Sequence, residues 1–441
     1  MFSSLILFAK LRLIPADLSG EQEDSMPSIA PTRTGIEVVE HLCSGRYAQV
    51  HAMFAMQLQA LVSAEKLGAA WESIVDRYGS VAEVGAAVSA AGAVRVPVRL
   101  EHGEVVVGMT IDETDRLTGL QLTPPVAPWQ PPDYADPDSF DEEQVSIGQP
   151  PFVVPGTISL PRRPRPCPAV VLLAGGGPFD RDMTTGSNKP LADIAWGLAG
   201  RGIAVLRFDK VTHAHAGAVA ALESFTMTDE YVPHAVAAVQ ALRAHSAIDA
   251  DRVFVLGHSM GGKVAPRVAA AEPAVAGLIV LAGDASPMHW AAVRVTRYLA
   301  ALEPDGGLGA QAAIEAIVRQ AQLVDNALTV STPTSELPLG LPASYWLDLR
   351  DYDPVAVAAT LGKPMFMLQG GRDYQVTVDD DLSRWRAGLA DRAEVTIRVY
   401  DADNHLFFPG AGPSTPAEYG PAQHVDRQVV SDIADWIATS G

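Results

Sequence analysis

Three side chains far apart in the sequence could together carry out acyl transfer. Ser259 stands in Gly257-His258-Ser259-Met260-Gly261, directly after the apolar run Val253–Leu256 and directly before a stretch of helical spacing. On a sharp strand-to-helix turn a serine has a strained backbone and projects its hydroxyl from the strand end. Small residues two before and two after it let the helix approach the strand. The bland alternative is a serine that only caps the helix. A hydroxyl is a poor nucleophile alone, so a base and an orienting carboxylate must accompany it. One recurrent chain order places an acid and then a histidine after the serine. Strand Pro364–Gln369 runs into Gly370-Gly371-Arg372-Asp373, and strand Glu394–Tyr400 runs into Asp401-Ala402-Asp403-Asn404-His405. Asp373 and His405 thus fall on the sheet edge where open α/β sheets build their sites.

Each of these has rivals. Asp284 also follows a strand end, Leu281-Ala282-Gly283-Asp284, and could serve as the acid. His424, at the start of the last helix, rivals His405. His213 and His215 lie in a loop and precede the serine, His258 is expected to point away by turn geometry, and Asp401 and Asp403 stand too close to His405 to be its partner. A developing oxyanion needs two donors. The backbone N–H of Met260 is one, at a helix N-terminus where the dipole assists. The other is expected from Leu173-Ala174-Gly175-Gly176-Gly177-Pro178, with Gly176 the first choice and Gly175 or Gly177 as substitutes. These glycines are not a phosphate loop, because G-K-[ST] does not follow. No dinucleotide fingerprint or zinc cluster is present, so neither cofactor nor metal is expected.

The elements that must position these groups alternate. Downstream of about residue 145, short apolar strands (Phe152–Leu160, Ala169–Leu173, Ile203–Phe208, Val253–Leu256, Gly277–Ala282, Met365–Gln369, Val395–Tyr400) are separated by helical stretches, and Gln428–Thr439 closes the chain. Strands that are almost wholly apolar are buried on both faces, which predicts a mostly parallel, doubly wound α/β sheet. A long interruption, about residues 286–353, reads as a helical lid insertion. Upstream, helical spacing from Thr34 to about Ala91 gives way to alternation at Val94, Val96 and Val98, then to strands Val105–Ile111 and Leu117–Leu122. That predicts a small α+β domain of about three helices and a small antiparallel sheet. Between the two lies Thr123–Glu143, with six prolines and a cluster of carboxylates. The expected divisions are an extension over 1–30, the small domain over 31–122, a Pro-rich linker over 123–144 and the catalytic domain over 145–441.

With 441 residues, 48% of them hydrophobic and 19% charged, the chain has ample material for more than one core, which excludes disorder as its overall state. A formal net charge of -20 disfavours nucleic acid and anionic lipid as partners. No apolar run reaches the roughly 20 residues of a membrane span. The apolar start, MFSSLILFAKLRL, carries its Lys10 and Arg12 after the apolar stretch, and no A-x-A-like site follows, so a cytoplasmic location is expected. Met26 is an alternative start. Cys43 and Cys167 form no disulfide framework. The apolar surface of the small domain leaves room for a homodimer.

From Val145 onward the chain resembles α/β-hydrolases of the serine esterase and dienelactone-hydrolase-like group. The resemblance rests on G-H-S-M-G-G, on Gly175–Lys210 (GGGPFDRDMTTGSNKPLADIAWGLAGRGIAVLRFDK) and on Gly370–Thr377 (GGRDYQVT). The first part is similar to a small domain of unassigned function fused ahead of such enzymes. The resemblance implies Ser259 as nucleophile, His405 as base and Asp373 as carboxylate, acting on a small-molecule ester, lactone or thioester through an acyl-enzyme. Relatives usually open the oxyanion loop with His-Gly, and here Ala174 stands at the histidine's position. The donor is a backbone group, so the hole is expected to survive. Two other functions are compatible with the residues. An acyltransferase or cyclase would use the same acyl-enzyme behind a lid rich in aromatics (Trp290, Tyr298, Tyr345, Trp346), and a non-catalytic receptor would keep only the fold.

Overall fold

A computed structural model describes residues 29–90, 93–112, 114–123, 128–162, 166–302 and 309–440. The expected extension over 1–30 lies outside them, apart from the first residues of helix α1. Two compact units divide between Ala127 and Pro128. The first contains helices α1 (Ile29–Cys43), α2 (Tyr47–Ala52), α3 (Met56–Leu61) and α4 (Ala64–Tyr78). Strands β1 (Val81–Val84), β2 (Val88–Ala90), β3 (Ala93–Leu100), β4 (Gly103–Ile111) and β5 (Leu117–Thr123) follow. The strands pair antiparallel in the order β1-β3-β4-β5, with β2 also on β3. Alternation puts Val94, Val96 and Val98 on one face, where they pack with Val38, Val39 and Leu42 of α1 and Trp71 of α4. The helices exceed the expected three by one short turn-like element, and β1 and β2 are additional. Most of β1 is exposed, which leaves no apolar alternation to read.

The second unit is built on an eight-stranded sheet. Its strands are β6 (Phe140–Ile147), β7 (Val154–Pro161), β8 (Cys167–Leu173), β9 (Ala204–Phe208), β10 (Ile248–His258), β11 (Leu278–Leu281), β12 (Met365–Gly370) and β13 (Val395–Tyr400). The order is β13-β12-β11-β10-β8-β9-β7-β6, parallel from β13 to β9, with β7 and β6 added antiparallel at one edge. Alternate residues of β8 feed two separate cores, Ala169, Val171 and Leu173 on one face and Val170 and Leu172 on the other. Helices α5 (Pro190–Ala199), α6 (Met227–Ala244) and α7 (Met260–Ala271) cover these faces, together with the C-terminal helix Arg427–Thr439. Between β11 and β12 the chain runs through α8 (Met288–Ala301), α9 (Ala310–Asn326) and α10 (Ala343–Arg350).

One expectation needs correction. The stretch 123–144, read as linker, enters the second unit at Pro128, and its last residues are the edge strand β6. Trp129 Nε1 donates to Asp193 and the Tyr134 hydroxyl to the Val425 carbonyl, so this proline-rich segment is packed rather than free. Its acidic cluster has cationic partners. Arg207 of β9 donates to Glu142 at 2.8 Å, to Asp182 at 2.7 Å and to Ser159 at 2.8 Å. Burial raises both carboxyls, but the guanidinium outweighs it and holds them below their ordinary values. Arg207→Met, which takes the guanidinium from Glu142 and leaves Asp182 with Lys189, should lower unfolding stability by about 2 kcal/mol in urea denaturation at neutral pH. Because the folded pKa values are depressed, this contribution is present above the unfolded carboxylate value of about 4. It is lost as pH falls through the folded values, so the deficit of the variant should shrink in acid.

Candidate active site

Strand β10 ends at His258 and α7 begins at Met260, so one residue turns the chain. Ser259 does this at φ 53° and ψ −118°, a left-handed φ that few side chains adopt. Its side chain makes no capping bond to α7, which removes the N-cap alternative. The glycines flanking it are dictated by contact. A Cβ on Gly257 would lie 2.1 Å from the Gly261 carbonyl oxygen, and one on Gly261 would lie 2.4 Å from the Leu173 carbonyl oxygen.

Asp373 and His405 stand 32 residues apart and meet, with His405 Nδ1 2.7 Å from Asp373 Oδ2. Gln369 Nε2 also reaches Oδ2 at 3.2 Å, while Oδ1 accepts the N–H groups of Gln375 at 2.8 Å and Val376 at 3.0 Å. Asn404 holds the histidine's turn by accepting the N–H groups of Leu406 and Phe408. Gln375 and Val376 line the same cavity, of about 120 Å3, as Ser259, Met260 and Gly176. Its remaining wall is largely apolar, with Met288, Ala292 and Val295 from α8 and Leu339 from the insertion. Of the three glycines after β8, Gly175 spends its N–H on Met183 Sδ at 3.5 Å.

Asp284, His424, His213 and His215 have other partners. Asp284 lines the cavity but pairs with Lys263 at 3.0 Å. His424 pairs with Asp193 at 3.2 Å. His213 and His215 bond to the Pro178 and Val153 carbonyls. Asp403 is fully buried and its carboxyl is pushed up to about 7 by that burial, with Asp426 adding to the effect. Among the described residues no group of three His, Cys, Asp or Glu is placed to hold a metal, and no helix is long and apolar enough to cross a membrane.

His258 was expected to point away from the site, and it does leave the cavity, yet it lies directly against His405. Their ring centroids are 4.7 Å apart, and His258 Nε2 donates to the His405 carbonyl at 2.8 Å. Burial, then the charge of His405, lowers the His258 pKa to about 3. It therefore stays neutral and braces the turn carrying His405. Nothing in local spacing signals this contact, because it spans 147 residues.

The family described as serine aminopeptidase, S33, matches residues 187–409, and one described as a protein of unknown function (DUF3887) matches residues 36–120. Esterase EstD of Thermotoga maritima is 34% identical over 406 residues, which cover 90% of this chain and 93% of that protein. Two solved structures are similar at 17% identity and a TM-score of 0.44. Est1E from Butyrivibrio proteoclasticus covers 67% of this chain and 99% of its own, and a Pyrococcus furiosus esterase covers 72% and 100%.

A basic group whose folded pKa is depressed opposes its own protonation. The stability His258 contributes is thus full above its unfolded value of about 6.5 and is lost as pH falls toward about 3. His258→Gln should flatten the dependence of unfolding free energy on pH between those values by about one proton, or about 1.4 kcal/mol per pH unit. Urea unfolding at a series of pH values measures it.

Proposed function

We propose a function from one premise: this chain belongs to the α/β-hydrolase family matched by the S33 serine aminopeptidase pattern, with esterase EstD as a relative. It is a carboxylic ester hydrolase that works through an acyl-enzyme on Ser259. The observation that carries this reading is the Asp373–His405 pair, whose acid is held by the N–H groups of two residues that share a cavity wall with Ser259.

In the first half-reaction Ser259 Oγ gives its proton to His405 Nε2 and attacks the ester carbonyl. Asp373, bonded to Nδ1–H, keeps the second nitrogen free to accept that proton and stabilises the imidazolium that forms. The N–H groups of Met260 and Gly176 hold the tetrahedral oxyanion, each worth about 3–4 kcal/mol in comparable sites. His405 then passes the proton to the departing alkoxide. In the second half-reaction it takes a proton from water, which attacks the acyl-serine and restores the hydroxyl.

Two features support a short acyl ester over the other substrates. A cavity of roughly 150 Å3 holds a benzene-sized group, and this one is about 120 Å3. An aminopeptidase needs a carboxylate for the substrate ammonium, and Asp284, the carboxylate among the described lining residues, is already paired with Lys263. The aromatics that suggested a water-excluding lid for an acyl acceptor are used in packing. Trp346 is fully buried, Trp290 donates to Asp325, and Tyr298 stacks on Tyr374. That supports water as the acceptor.

A fluorophosphonate should label Ser259, as read by peptide mass spectrometry, and Ser259→Ala or His405→Ala should abolish labelling. Ser259→Ala should lower kcat by about 10^5-fold or more. On p-nitrophenyl esters, kcat/KM should peak between acetate and hexanoate and fall at least about tenfold at laurate, since one misfitted methylene costs about 1 kcal/mol. Labelling without turnover of any ester would transfer the reading to acyl transfer. Folded protein without labelling would end it.

A further inference from the structure

Behind the loop that carries Gly176 lies a buried polar cluster that takes no part in proton transfer. Lys210, Glu230, Tyr231 and Tyr345 are 3, 6, 3 and 4% exposed. The Lys210 ammonium has three partners, the Gly175 carbonyl at 3.0 Å, the Tyr231 hydroxyl at 2.7 Å and Glu230 Oε1 at 3.0 Å. Tyr231 donates in turn to the same Gly175 carbonyl at 2.7 Å. Glu230 also accepts from Thr212 at 2.7 Å and from Tyr345, on α10 of the insertion, at 2.6 Å. Burial pushes both tyrosines well above their ordinary pKa, so both remain phenols able to donate.

The Gly175 carbonyl belongs to the peptide whose N–H is that of Gly176. In a trans peptide these two groups point in opposite directions. Two donors on the carbonyl therefore fix the N–H on the far side, where Gly176 forms the cavity wall beside Ser259. They also polarise it, since a bonded carbonyl makes its own N–H a stronger donor. Stability alone does not call for such an arrangement, because a buried ion pair is often matched by apolar residues of similar volume.

We propose that Lys210 and Tyr231 are positioning residues for the oxyanion hole, clamping the Gly175 carbonyl so that the Gly176 N–H faces the oxyanion formed on Ser259. Glu230 and Tyr345 extend the clamp to α10, which couples the seating of the insertion to oxyanion stabilisation. The proposal rests on the ester-hydrolase reading given above.

The test compares wild type, Tyr231→Phe, Tyr345→Phe and the double variant Lys210→Met with Glu230→Gln, which leaves no unpaired buried charge. Each is assayed on p-nitrophenyl acetate and with a trifluoromethyl ketone, whose adduct on serine carries an oxyanion. Losing part of one donor's alignment should lower kcat of Tyr231→Phe about tenfold, and the double variant about a hundredfold, with KM within about twofold. The inhibition constant of the ketone should rise by the same factors as kcat/KM falls, and Tyr345→Phe should shift both readouts about threefold. A role in folding alone would lower the melting temperature and leave kcat and ketone affinity of the folded protein unchanged, and that result overturns the proposal. Wild type that turns over the ester while all variants match it also overturns the clamp and leaves the hydrolase reading standing. Wild type that does not react with fluorophosphonate at Ser259 overturns both.

Discussion

The crossing of β10 into α7 is the constraint on which the second unit depends. Two backbones meet there with no room for a side chain, since a Cβ at Gly257 or Gly261 would overlap carbonyl groups of α7 or β8. The residue between them is forced to a left-handed φ, and Ser259 accepts it. Such strain costs about 1–3 kcal/mol and persists only where the surroundings over-determine it. The surroundings here are β8 and β11, which flank β10, and the N–H of Ser259 is itself bonded to the Leu281 carbonyl at 2.9 Å. The same compression leaves little room at Gly175, where a Cβ would lie 3.3 Å from His258 Nδ1 and from Ser259 Cβ, so the glycine loop passes close beside the serine turn.

Around that crossing the fold spends buried charge freely. Lys210–Glu230, Lys263–Asp284 and Arg207 with Glu142 and Asp182 all sit within one layer of the cavity or of the loops that shape it. Ion pairs of this kind add little net stability, because desolvation consumes most of the attraction. What they add is geometry. Each ammonium or guanidinium has its donors committed to named acceptors, so a small shift leaves a buried charge short of a partner.

Much of the fold was legible because strand and helix leave local periodicity. β8, β11, β12 and the second half of β10 are short apolar runs, which mean burial on both faces, while β13 at the edge keeps polar Thr396 and Arg398 on its exposed face. The strand-end placement of Ser259, Asp373 and His405 follows from the same pattern. β6 was not legible, because its exposed Asp141, Glu142 and Glu143 and the prolines before it resemble a linker, and the cation that Glu142 meets is Arg207 of a strand some 60 residues later. The contact of His258 with His405 and the clamp on Gly175 escaped for the same reason. They are joined by tertiary hydrogen bonds across 147 and 56 residues, and spacing carries no trace of such pairs.

The insertion is tied to the segment that follows Asp373. Asp381 is fully buried and accepts the N–H groups of Ala285 at 3.1 Å, Ser286 at 2.9 Å and Thr377 at 3.0 Å. Arg294 of α8 adds a bond at 2.7 Å. One carboxylate thus ties the start of the insertion, its cavity-lining helix and the segment that follows Asp373. At the far end Arg267 of α7 joins Asp348 of α10 at 2.6 Å, and Asp348 also accepts from Thr228. Lifting α8 would take Arg294 from the buried Asp381, and removing the cationic partner of a buried charge costs about 3–5 kcal/mol. The same contacts therefore hold the part of the cavity wall formed by Met288, Ala292 and Val295, which supports the short-acyl reading proposed above.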